Sequence, residues 1–253
     1  MSEHYIFKIE QYLKSIDQSP STELIDKVNA RKSGKKFTNE EHLKALIYAL
    51  LSNQTKWSNI APKLDLIKDI FFNYDLDKVK NTDYMYFVEE LKKIKCGNRV
   101  IVTQMRGLKD SIILFEEMIS EYASIDDFIT LLPAQAIVAL ISNNDSIYKL
   151  PNVGTALAWE YLRNVGIDGV KPDVHMNRFL GNKRLGNSKS EISTPVETIK
   201  QSKLISQETG KSLNEIDSLI WMYCADNYGA ICSAKPKCDK CVIKDYCKNK
   251  ECN

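Results

Sequence analysis

Residues 231–247 read ICSAKPKCDKCVIKDYC and set four cysteines in one frame, Cys232-x5-Cys238-x2-Cys241-x5-Cys247. Four sulfurs this close together in a reduced protein bind a metal ion or an iron–sulfur cluster. The C-terminal end is therefore expected to fold around an inorganic centre. Spacing alone suits zinc as well as a cluster, because zinc tolerates many spacings.

Upstream of the frame, helical periodicity dominates. Within 41–54 the apolar residues Leu43, Leu46, Ile47, Leu50 and Leu51 share one helical face. Thr38 followed by Glu41 forms a capping box at its start. Residues 63–72 and 111–122 read as further helices, the first with Pro62 near its start. Residues 126–132 and 133–141 form a helical pair, and polar 142–145 breaks it. A helix over 155–164 is closed by Gly166. Helices over 197–206 and 213–226 complete the set, with 181–194 as an exposed connection. No period-2 pattern appears, so the fold class is all-α.

The chain has 253 residues, enough for one large core or two modest ones. Its net charge of +2 neither demands nor excludes nucleic acid. No apolar run approaches the ~20 residues of a membrane span. The N-terminal text MSEHYIFKIEQYLK lacks a secretory pattern, so a cytoplasmic location and reduced cysteines are expected. Seven cysteines then favour ligation over disulfides. Three stand outside the frame: Cys224 on a core helix face, Cys96 in a loop, and terminal Cys252. Lys235, Lys237, Lys240, Lys244, Lys248 and Lys250 fall on or beside the frame, as a solvated tail or as a phosphate-facing patch.

A second motif lies in the middle of the chain. Leu150-Pro151-Asn152-Val153-Gly154 joins two expected helices. Gly154 takes positive φ freely, and Asn152 tolerates it. Such a turn exposes N–H groups at the start of the next helix, a natural phosphate seat. After about three turns of helix comes Lys171-Pro172-Asp173-Val174-His175. Asp173 stands just before a helix over 176–180, where an N-cap is its plain structural role. His175 reads as a structural hydrogen-bonding group.

In this order the motifs resemble the helix–hairpin–helix DNA glycosylases, specifically the iron–sulfur branch typified by endonuclease III. Residues 49–55 (ALLSNQT) look like the family's early barrel helix and its loop. Leu150–Gly154 looks like its hairpin, and Asp173-Val174-His175 like its acidic motif. Arg178, Leu185-Gly186, Trp221 and Gly229 follow as the family expects. The likeness covers 41–247.

The resemblance implies two helical domains with a cleft between them. A six-helix barrel with the hairpin would span 39–164. A discontinuous cluster domain would join 1–38 to 165–253, with 7–24 packed on the C-terminal helices. It implies a [4Fe–4S] cluster on Cys232, Cys238, Cys241 and Cys247, with zinc as the alternative. The partner is double-stranded DNA carrying a damaged or mispaired base, met by a monomer. In a bacterium the protein would associate with the nucleoid. Asn152, Val153 and Gly154 would hold one backbone phosphate, directly or through an alkali cation, while Lys235 and Lys237 contact others. Gln54 would fill the gap left by the flipped base, its structural alternative being a helix C-terminal cap. Asp173 would stabilise a sugar cation and activate water. The base itself is undetermined, and Tyr48, Trp57, Trp159, Tyr161 and Tyr223 are the aromatic stacking candidates.

Two departures from the family bear on activity. Bifunctional members carry a lysine two residues after the hairpin's last glycine, where this chain has Ala156. A methyl group is no nucleophile, so a monofunctional hydrolytic glycosylase is implied. The first cysteine gap is five residues rather than six, which shortens the loop without removing a ligand. Three other readings compete: a glycosylase/AP lyase using a lysine from elsewhere, an inactive DNA-binding protein, and a zinc-stabilised helical adaptor.

Overall fold

The structure is a computed structural model that describes residues 3–20 and 22–249. Lys250 and Cys252, noted above, lie outside the described residues. Every regular element among the described residues is helical. In chain order they are α1 (Tyr5–Ser15), α2 (Thr22–Lys32), α3 (Asn39–Leu51), α4 (Leu64–Ile70), α5 (Leu76–Asn81), α6 (Tyr84–Lys93), α7 (Ile101–Tyr122), α8 (Ile125–Thr130), α9 (Ala134–Ser142), α10 (Thr155–Asn164), α11 (Val174–Phe179), α12 (Pro195–Thr209) and α13 (Leu213–Cys224). No helix among the described residues is long and apolar enough to cross a membrane.

The backbone divides into two compact units. One comprises Met1–Asn29 with Asp168–Asn253, and the other Ala30–Ile167. The first crossing falls within α2, where the sequence pointed to residue 39. The reason is chemical: Arg31 donates to Asp126 and to the Val165 carbonyl, which ties the end of α2 to its own unit.

In the Ala30–Ile167 unit, α3 is the central rod. The Thr38–Glu41 capping box forms as expected and fixes its start. One apolar face was expected, yet α3 is buried nearly all round: His42, Ala45, Tyr48 and Ala49 join the five leucine and isoleucine positions. Helices α5, α7, α8 and α10 pack around it, leaving Glu40 exposed and Asn39, Glu41 and Lys44 half-buried near its start. Each large aliphatic side chain buried this way contributes roughly 1.5–3 kcal/mol. The burial of His42 is made tolerable by partners on two other helices. Nδ1 meets the Tyr161 hydroxyl at 2.7 Å, and Nε2 meets Asp126 at 3.0 Å. Helix α7 begins ten residues earlier than the periodicity suggested and runs 22 residues. Polar Gln104 and Gly107 obscured its first half, and both turn out to be buried.

In the other unit, α1 packs on α13, and α13 on α11 and α12. The 7–24 segment, expected to pack on the C-terminal helices, is split between two helices. Helix α1 stops at Ser15, Asp17 turns left-handed at φ 54°, and α2 starts after Pro20. The expected 181–194 connection is irregular and tightly folded back. A Cβ on Gly186 would stand 1.7 Å from the Leu180 carbonyl oxygen, so no larger residue fits there.

Candidate functional site

The hairpin between α9 and α10 is built from its apolar residues upward. Leu150 and Val153 are fully buried and anchor the turn. The Leu150 amide donates to the Ile141 carbonyl at 3.1 Å, closing the loop onto the end of α9. Between the two anchors, Asn152 takes the left-handed conformation at φ 62°. Gly154, the other residue able to take that conformation, is extended instead, with φ −91° and ψ 178°, and it is the N-cap of α10. A glycine cap offers no side-chain oxygen, and none caps α10. The first-turn N–H groups of α10 are therefore left for an external acceptor. The face of Gly154 is open, with no atom within 4 Å of where a Cβ would stand. Of the three hairpin residues expected to touch phosphate, Val153 has its side chain in the core, so only its backbone can serve.

The turn is held from behind by α7. The Asn152 side-chain amide donates to the Thr103 carbonyl at 3.1 Å. Gly107, one turn further along, lets Pro151 and Asn152 lie directly on the helix. A Cβ there would stand 2.7 Å from Asn152 Nδ2 and 2.8 Å from Pro151 Cβ. Just before α7, Arg99 Nε donates to Gln54 Oε1 at 3.2 Å. One rod thus carries both the hairpin and the Gln54 turn. Gln54 is exposed and left-handed at φ 56°. The capping alternative for it is not realised. Ser52 Oγ donates to the Ala49 carbonyl, while Gln104 and Asn98 side chains donate to the Leu50 carbonyl. Sequence reasoning missed Arg99, Gln104 and Gly107, because polar residues and a glycine in a helical stretch carry no periodic signal.

Lys149, just before the turn, was also missed. Its Nζ donates to the Leu150 carbonyl at 2.9 Å and to the Val153 carbonyl. Burial pulls its pKa below the usual lysine value.

Asp173 lies in the other unit, as the N-cap of α11. Its Oδ1 accepts from the His175 and Met176 amides, at 2.8 and 3.1 Å. Both of these bonds fall on Oδ1, and among the described residues Oδ2 accepts none. The segment before it is stitched to α13. The Lys171 amide donates to Asp217 at 2.8 Å, and Asp168 accepts from the Leu213 and Asn214 amides. Asn177 Nδ2 donates to the Pro172 carbonyl at 3.1 Å. His175 stands edge-on to Trp221, with centroids 6.3 Å apart, and burial lowers its pKa. Among the described residues its buried Nδ1 has no hydrogen-bond partner.

The four frame cysteines line one cavity, with Arg184 among its walls. Arg184 is buried and donates to the Cys232 sulfur at 3.0 Å and to the Cys232 and Ser233 carbonyls. The Tyr223 hydroxyl donates to the Cys241 sulfur at 3.3 Å, and the Asn249 amide to the Cys247 sulfur at 3.5 Å. A hydrogen bond from Cys224 draws the Cys232 thiol down to about 7, with burial opposing and Arg184 assisting. Cys224 is thus core, as expected, and also touches the frame. Burial pushes Cys247 upward. Among the described residues no three His, Cys, Asp or Glu side chains converge tightly enough to hold a metal ion. Cys238 is disulfide-bonded, and its sulfur joins the other three as a ligand only on reduction. With that bond reduced, the donor set has four thiols, a cationic wall and N–H and O–H donors to sulfur, which suits a thiolate-bound group. Lys235 and Lys237 are exposed on the same loop.

Of the five aromatic candidates, Tyr48, Trp159, Tyr161 and Tyr223 are buried core. Trp57 alone is half-exposed, standing edge-on to Tyr48 with centroids 6.0 Å apart.

No family pattern and no curated protein matches the chain. Among solved structures, it is similar to a Methanocaldococcus jannaschii 8-oxoguanine glycosylase/lyase crystallised with a 15mer DNA containing 8-oxoguanine. The TM-score is 0.57 and the identity 20%, over 87% of this chain and 96% of that one. The two share a fold.

Proposed function

We propose that this chain is a DNA base-excision glycosylase that extrudes a damaged or mispaired base and hydrolyses its N-glycosidic bond. The observation that carries the reading is the uncapped N-terminus of α10, presented by a hairpin pinned to α7. The shared fold with a lesion-bound enzyme supports it. The hairpin would hold one backbone phosphate, and Lys235 and Lys237 would hold others. Gln54, braced by Arg99, would occupy the space the base leaves in the stack.

For the chemistry, a stacked base is unreachable and must be flipped at a cost of a few kcal/mol. The C1′–N bond then breaks with its electron pair leaving on the base, and positive charge develops on the sugar. Asp173 faces that charge with Oδ2 while two amides fix Oδ1. A water oxygen adds to C1′, and the carboxylate takes its proton. We infer a monofunctional route, because Ala156 offers no amine and Lys149 is engaged by two carbonyls. Cys232, Cys238, Cys241 and Cys247 would hold a [4Fe–4S] cluster that supports the C-terminal fold, with zinc as the competing occupant.

The test is base release from duplexes carrying 8-oxoguanine, uracil, a thymine mispair, an oxidised pyrimidine or an alkylated purine, followed by a strand-cleavage assay. Release without cleavage, and no covalent adduct under borohydride, is expected. A trapped adduct would overturn the monofunctional reading. Absence of release from every substrate, with DNA still bound, would leave an inactive DNA-binding protein.

A further inference from the structure

The hairpin directs two backbone carbonyls, of Leu150 and Val153, toward a single point. That point is negative, and a phosphate approaching it alone would be repelled. The chain fills the point with its own ammonium: Lys149 Nζ donates to both oxygens. An ammonium has three N–H donors, and these two bonds leave one unused. No carboxylate among the described residues pairs with Lys149. The Val153 carbonyl belongs to the peptide that leads directly into Gly154, so the positive charge lies next to the uncapped start of α10 and the open face of Gly154.

We propose that Lys149 is the hairpin's built-in cation, which joins the first amides of α10 in holding a DNA backbone phosphodiester, so that this hairpin grips phosphate without a metal ion. The inference rests on the DNA reading above and adds a positioning residue to it. An ordinary surface lysine would keep its amine in water. Here the side chain folds back over its own turn, exchanging hydration for two carbonyl bonds.

The experiment measures affinity for a lesion-bearing duplex across a salt series, in potassium and in tetramethylammonium chloride at equal ionic strength. Wild type is expected to bind equally in both. Lys149→Gln keeps a donor for the carbonyls and removes the charge. It is expected to make the salt dependence shallower by about one unit in log–log slope and to weaken binding severalfold at low salt, with an unchanged thermal midpoint. Lys149→Arg, which keeps the charge, should retain most of the wild-type slope. If Lys149→Gln keeps the wild-type slope, Lys149 is only a clip on the turn and the inference fails. It fails equally if wild-type binding requires potassium. If wild type binds no DNA in either salt, the glycosylase reading itself falls, which is a distinct result.

Discussion

Gly107→Ala separates the geometry of the hairpin from the stability of the fold. A methyl group at Gly107 would stand 2.8 Å from Pro151 Cβ and 2.7 Å from Asn152 Nδ2. The asparagine amide can swing aside, at the cost of its bond to the Thr103 carbonyl. The proline ring cannot, so the turn must lift by at least about 0.6 Å to regain ordinary 3.4 Å contact. Overpacking of this kind costs about 1–3 kcal/mol. Replacing a helical glycine by alanine returns up to about 1 kcal/mol. The net destabilisation is then about 0–3 kcal/mol, a loss of at most about ten degrees in thermal midpoint. Catalysis is far less tolerant, because a displacement near 1 Å at a positioning element costs on the order of 100-fold. The assay pairs a thermal melt with single-turnover base release on whichever duplex the wild type cleaves. A rate within twofold of wild type, in a folded variant, would refute the claim that α7 sets the position of the hairpin.

Asp173→Asn tests the chemistry cleanly, since asparagine caps a helix as well as aspartate does. The melt should be unchanged and base release should fall at least 100-fold; an undiminished rate would remove Asp173 from the mechanism. The buried Asp126 predicts acid sensitivity. Burial raises its pKa, but bonds from His42 and Arg31 outweigh that and hold it at about 2, below the ordinary 3.8. A lowered carboxylate pKa stabilises the fold above the unfolded value, so of order 2 kcal/mol should be lost as pH falls from about 4 toward 2. Arg31→Met should cost about 3–5 kcal/mol at neutral pH, read by urea denaturation; a loss below 1 kcal/mol would show that the pair is not what holds the end of α2. Protein purified without oxygen should contain about four iron and four sulfide per chain and absorb near the blue end of the visible range. Stoichiometric zinc would replace the cluster reading. Cys241→Ser should lower the metal content in either case.

Local chemistry made much of the fold legible. The Thr38–Glu41 box, Pro133 before α9, the bounds of α10 and the cap at Asp173 all follow from interactions within four residues of chain. Where polar residues were buried through distant partners, the signal vanished. Gln104 looks like a surface residue until its amide is seen on the Leu50 carbonyl, 54 residues away. His42 is readable only through Asp126 and Tyr161, which lie on two other helices. The break after α1 is itself local, set by a left-handed Asp17 ahead of Pro20.

For the candidate site, the chain's text alone supplied the residue types: a glycine-ended turn, an aspartate before a helix, and four closely spaced sulfurs. Those follow from spacing, and spacing is a property of the chain. Tertiary structure decided which residues carry the strain and the charge. Asn152 rather than Gly154 turns left-handed, because α7 holds its amide at Thr103. Lys149 becomes part of the turn because folding brings two carbonyls within reach of one ammonium. Hydrogen bonds to backbone oxygen depend on where the chain goes next, and no local pattern of side chains encodes that.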